Sequence, residues 1–301
     1  MRRRRRKMHR CVPARGPGGH REGPASGDRP RDGGAGLTAA DFGMERSCAL
    51  AIIEREAARI VEIATDPKVE RTSVVPTCPG WALDDLLNHL GRVYAMVATS
   101  IGDSAGNAPD RQLIPRRPEG QDPLDWMRER FDLLLPLLSA VPEDAARWNF
   151  VSGPRSPVGF WWRRQLHETL VHRVDAELAG RAPVGEAAAE VAADGIAERL
   201  LLSGFRKVPA EDLQLGKSMT VHLHATDAPE VEWAIDTAGD RYASAHVKAD
   251  VALRGPAWSL DRWVWRRGSV VPSAGLAQGL LLPGLEAFGD IRAAEEWRPS
   301  F

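Results

Sequence analysis

The chain has 301 residues, 43% hydrophobic and 27% charged, with a formal net charge of -1, which is enough for one large or two ordinary domains with real cores. No apolar run is long enough to cross a bilayer; residues 133–138 are short and broken by Pro136. Three scattered cysteines, Cys11, Cys48 and Cys78, do not make a disulfide framework, which points to a reducing cytoplasm.

The near-neutral total hides an asymmetry. Residues 1–36 carry 11 Lys and Arg against 3 acidic residues, leaving 29 basic and 38 acidic residues in the rest. With little to bury, residues 1–43 read as a disordered basic tail. Two explanations stay open: an arm for nucleic acid or an anionic surface, or a start that truly falls at Met44. The tail lacks the apolar centre of a secretory signal. The acidic body argues against nucleic acid as the main partner, and no membrane association is expected.

Four helix-period segments follow. Residues 44–64 place Leu50, Ile53, Ala57, Ile60 and Ile63 at three- and four-residue spacing. Residues 83–98 follow the turn Cys78-Pro-Gly-Trp81, with a poor cap in Ala82 but with Asp84 and Asp85 suited to the helix dipole. Residues 123–140 open on proline, a favoured first-turn residue, and Pro136 is expected to kink or shorten them. Residues 161–179 stop at Gly180. Four helices joined by polar connections suggest a four-helix bundle over residues 44–182.

Beyond residue 183 the period changes. After a helix at 186–202, residues 218–225, 231–236 and 249–254 alternate as strands. A helix at 257–266, a last strand at 285–288 and a short terminal helix complete the chain. Residues 183–301 therefore read as a small α+β domain.

The stretch Gln165-Leu-His-Glu-Thr-Leu-Val-His-Arg-Val-Asp-Ala-Glu177 carries the chemistry. Helical residues turn by about 100° each, so Glu168 and His172, four apart, share a face while His167 points elsewhere, onto the apolar stripe. His167 is better read as a hydrogen-bonded core histidine. A third donor is His89, which shares a face with Leu86, Val93 and Met96 and so looks into the bundle. A buried carboxylate is costly unless paired, and a cation shared with two imidazoles relieves that cost. Two imidazoles, one carboxylate and an open position suit catalytic zinc. Asp175 is placed either to support His172 or to pair with Arg164 or Arg173.

Val75-Pro-Thr-Cys-Pro-Gly-Trp81, Asp85-Leu-Leu-Asn-His-Leu-Gly91 and the His-Glu-x-x-x-His-Arg-x-Asp-Ala segment together resemble the mycothiol-dependent maleylpyruvate isomerase family of the DinB-like superfamily. Thr220-Val-His-Leu-His-Ala225 and Val251-Ala-Leu-Arg-Gly-Pro-Ala257 look like that family's C-terminal domain, so the likeness spans roughly residues 44–297. The resemblance implies a DinB-like bundle, a metal triad at His89, Glu168 and His172, and mycothiol as thiol cofactor. It implies a metal-lowered thiol pKa, attack of the thiolate on a small electrophile, and either isomerisation by addition, rotation and elimination or lasting S-transfer. It also implies a basic residue near the site suited to an acidic substrate, best matched by Arg267 and less well by Arg266 or Arg254.

Two other classes stay in play: a metal-dependent hydrolase with water in the open position, and a non-catalytic, metal-stabilised binding or regulatory protein. Cys78 reads as a small packed residue, the ten tryptophans mainly as core, and His222 and His224, on one strand face, as structural for want of a third ligand.

Overall fold

The computed structural model describes residues 44–216, 218–228, 231–272 and 276–298; the expectations for residues 1–43 lie outside them. The first half holds four long helices: α1 (Arg46–Thr65), α2 (Leu83–Gly102), α3 (Pro123–Ala140) and α4 (Gly159–Ala179). Asp122 caps α3 by accepting from the backbone N–H groups of Leu124 and Asp125, and the helix runs through Pro136 to Ala140 instead of ending there. Helix α2 lacks a side-chain cap at Ala82, and Asp85 reaches back to accept from the Ala82 N–H at 2.9 Å. The helices meet pairwise, α1 with α3 and α4, and α2 with α3 and α4. Ile53, Ile60, Leu86, Leu90, Leu166, Leu170 and Val174 belong to their shared apolar core.

Between α3 and α4 lies a hairpin, β1 (Ala146–Asn149) with β2 (Gly153–Pro157), in a stretch that periodicity reads only as a connection. Its strands are short, polar and rich in Gly and Pro, so no alternation betrays them.

The second half contains α5 (Ala189–Leu202), β3 (Arg206–Lys207), β4 (Thr220–Ala225), β5 (Glu232–Asp236), β6 (Arg241–Ala243), β7 (Val251–Gly255), α6 (Ala257–Val264), β8 (Glu286–Gly289) and α7 (Ile291–Trp297). Six strands form one mixed sheet in the order β3-β6-β5-β4-β7-β8, with β3/β6 and β4/β7 parallel. Val221, Leu223 and Ala225 of β4 and Val251 and Leu253 of β7 are fully buried, and α6 packs against these two strands. β3 and β6 are too short for a two-residue period to register.

Helix α4 joins the two halves. It is buried along nearly its whole length, because α1 and α2 cover one side while Asp194 and Glu198 of α5 and Trp258 of α6 supply partners on the other. Its charged residues are accordingly paired. Arg163 grips Asp194 of α5, Arg164 reaches Glu198 of α5, and Arg173 bonds Glu56 of α1 and Glu177. A buried charge without such a partner would cost several kcal/mol. No helix among the described residues is long and apolar enough to cross a membrane. Cys78 is a free thiol.

Candidate metal centre

Three side chains from two helices converge. Glu168 Oε1 lies 3.0 Å from His89 Nε2 and 3.3 Å from His172 Nε2, and donor atoms of all three residues lie within 4.8 Å of one another. The helix spacing accounts for the pair on α4, and α2, packed on α4, carries His89 to them. His89 is the open side of the cluster, its side chain 32% exposed against 15% for Glu168 and 9% for His172.

The turn before α2 closes one flank. Trp81 N–H donates to the Cys78 carbonyl at 3.0 Å, with Pro79 and Gly80 between them and Gly80 at φ +83. Proline followed by a positive-φ glycine is the type II turn signature. The turn sets the Trp81 ring 5.0 Å from His89 and 6.4 Å from His172, nearly parallel to the latter. An indole there shields the imidazoles from water.

Behind the cluster stands a second layer of partners. Glu168 Oε2 accepts from Arg164, which also bonds Glu198. Burial pushes the Glu168 carboxyl up, but Arg164 and both histidines outweigh it and hold it well below the usual range. His172 Nδ1 bonds Asp175 Oδ2 at 2.8 Å. Burial opposes the charged form of His172, yet the carboxylates of Glu168 and Asp175 leave its pKa raised. Asp175, fully buried, also accepts from Thr77 at 2.5 Å and from two Arg267 nitrogens at 3.0 and 2.7 Å. Burial alone would raise its pKa; Arg267 and His172 take it below the ordinary value.

Arg267 thus reaches the centre, but through Asp175. Its remaining nitrogen, Nη1, donates to the Trp265 carbonyl at 2.8 Å, so all three guanidinium nitrogens are engaged. Arg254 pairs with Glu286 on the sheet, and Arg266 donates to the Arg298 carbonyl. Asp175 pairs with neither Arg164 nor Arg173; its cation comes from 92 residues away, with no local signal to announce it. His167 is buried and bonds Asp194 at 2.7 Å, as its position on the apolar stripe implies. Cys78 lies 3.6 Å from Asp175 and 3.7 Å from Arg267. Burial and the Asp175 charge push its thiol up to about 12 against the pull of Arg267, so it stays protonated at neutral pH.

The family model described as mycothiol maleylpyruvate isomerase N-terminal domain matches residues 50–177, a span that includes His89, Glu168 and His172. No curated protein sequence matches the chain significantly. Among solved structures, the fold is similar to that of the mycothiol-dependent maleylpyruvate isomerase, with a TM-score of 0.54 and 13% identity over 83% of this chain and 95% of that one. A histidine-to-alanine mutant of that enzyme matches with the same figures.

Proposed function

We propose that the chain is a mycothiol-dependent metalloenzyme that isomerises or conjugates a small electrophile, a reading supported by the match of residues 50–177 to the family model described as mycothiol maleylpyruvate isomerase N-terminal domain. On this reading residues 44–182 form the metal-binding half and residues 183–301 the supporting one. The observation that carries it is the spacing of the donors of His89, Glu168 and His172. Bonds of about 2.0–2.2 Å at tetrahedral angles set ligand atoms roughly 3.3–3.6 Å apart; the observed 3.0 and 3.3 Å need little adjustment.

A bound divalent metal, zinc being best suited to this set, would supply Lewis acidity that holds a thiol as thiolate at neutral pH. The rest falls to the chain's own residues. Asp175 fixes the tautomer of His172, and Arg267 and Thr77 fix Asp175. Arg164 neutralises Glu168 from behind, so that its free oxygen points at the two imidazoles. Trp81 excludes water from one flank while the His89 side stays open for thiol and substrate. Arg267 serves here as a positioning residue, since its nitrogens are already engaged.

The test is a turnover assay of purified protein with mycothiol against a panel of electrophiles that includes maleylpyruvate. Thiol-dependent turnover that is lost in His89→Ala together with one equivalent of bound metal supports the reading. Turnover of an ester or amide without thiol would replace it with a hydrolase, and absence of metal from the wild type would sink it.

A further inference from the structure

A second set of two imidazoles and a carboxylate lies on the sheet, well away in sequence from the first. His222 and His224 alternate along β4, and Glu232 of β5 is the cross-strand partner of His224, so all three share one face of the sheet. His246 joins them from residues 244–250, which connect β6 to β7. Those two strands flank β5 and β4 in the sheet order, and the contact of His246 with Glu232 places their connection on the face that carries the histidines. The opposite face of β4 is the apolar one, against α6.

Glu232 Oε2 lies 3.4 Å from His222 Nε2 and 3.2 Å from His246 Nδ1. Donor atoms of His222, Glu232 and His246 all fall within 4.8 Å of one another. His224 Nδ1 bonds the other oxygen, Oε1, at 2.5 Å and thereby aims the carboxylate. A hydrogen-bond network alone leaves one atom unexplained. His222 is 5% exposed, and its Nε2 is buried without a hydrogen bond while His224 and His246 occupy both oxygens of Glu232. At 3.4 Å from Glu232 Oε2, that nitrogen has a carboxylate beside it but no well-formed hydrogen bond, an arrangement that a shared cation would complete.

We propose that His222, Glu232 and His246 form a second binding site for a divalent transition-metal ion of the zinc class, with His224 orienting the carboxylate. Donor spacings of 3.2 and 3.4 Å are close to the roughly 3.3–3.6 Å separation around a tetrahedral zinc-like ion. Imidazole and carboxylate together favour zinc, cobalt or nickel over magnesium or calcium. A metal there ties the β6–β7 connection to β4 and β5, and the exposed His246 leaves the site in contact with solvent. The role is local stabilisation of the second half, independent of the chemistry at His89, Glu168 and His172.

The test is metal stoichiometry and thermal stability of tag-free, full-length protein, titrated with zinc and cobalt. His246 is exposed on a connection, so His246→Ala should fold, which circular dichroism verifies. Relative to the wild type, it should lose one equivalent of metal and the part of the zinc-dependent rise in Tm that this equivalent supplies. Glu232→Gln should do the same, and His89→Ala/His246→Ala should lose one equivalent beyond His89→Ala. These differences read the second site whatever the occupancy of the first. If His246→Ala and Glu232→Gln keep the wild-type stoichiometry and zinc response, the proposal is wrong. Retention of the same equivalent by His89→Ala separates this outcome from a failure at the first centre.

Discussion

Asp175 and His172 share a hydrogen bond of 2.8 Å between Oδ2 and Nδ1, and its polarity is fixed by the surroundings. Asp175 is held ionised by Arg267 and His172 despite full burial, so it can only accept. His172 Nδ1 must therefore donate, and in the neutral ring the Nε2 lone pair faces Glu168 and the open side of the cluster. A residue with no reach to the ligand position thus decides which nitrogen is offered there.

Asp175→Asn should weaken metal binding by about 10–100-fold, the usual consequence of losing the partner that orients a histidine ligand. Competition against a chromophoric chelator measures it. Unchanged affinity would remove Asp175 from the site's machinery.

Arg267→Ala should leave the buried Asp175 charge with only His172 and Thr77 as close polar partners, at a cost of about 3–5 kcal/mol. The loss has a pH signature. The folded pKa of Asp175 is depressed, so its stabilisation is present above the unfolded value near 3.8 and is lost as pH falls through the lower folded value. Urea unfolding at several pH values should show a wild-type stability that falls on the acid side, and a variant whose profile there is flatter. A residue that only clamps substrate would instead raise KM and leave stability unchanged.

The helices were legible because their apolar spacing repeats over many turns, and Glu168 with His172 because one helix carries both. His89 could be added because its own helical face turns inward. The supporting layer was not legible: Arg267 meets Asp175 across 92 residues, and Glu198 meets Arg164 from a helix whose register the sequence does not set. Helix α4 also defeats a simple polarity reading. It is buried on both sides, with its charges paired across helices, so its sequence shows no polar face. On the sheet, Glu232 and His246 could not be read as neighbours of His222 and His224, because they come from a neighbouring strand and from the connection between β6 and β7.

Gly91 on α2 has a packing reason that its helical position hides. A Cβ there would stand 2.2 Å from the ring of Trp126, which is 2% exposed. Gly91→Ala gains about 0.5–1 kcal/mol of helix propensity but has to displace a buried indole, with an overpacking cost of about 1–3 kcal/mol or more. Thermal denaturation should show a lower Tm. Combining it with Trp126→Leu should cost less than the sum of the two single changes, because the smaller side chain vacates the space; strict additivity would mean that the two residues do not compete for it.

Asp261 on α6 has the reverse electrostatics of Asp175. It is buried, its Oδ1 has no hydrogen-bond partner, and burial together with Glu198 and Asp194 raises its pKa well above 3.8. A carboxyl raised in the folded state contributes stability that is fully present below the unfolded pKa and is lost as pH rises through the folded one. Asp261→Asn cannot ionise and keeps nearly the same shape. The stability of this variant relative to the wild type should therefore climb from about pH 4 upward and level off once Asp261 is ionised in the folded protein. Chemical unfolding of both proteins at pH 5, 7 and 9 reads that difference directly. A flat difference would mean that Asp261 titrates alike in both states, and a falling one that an unseen cation stabilises its charge.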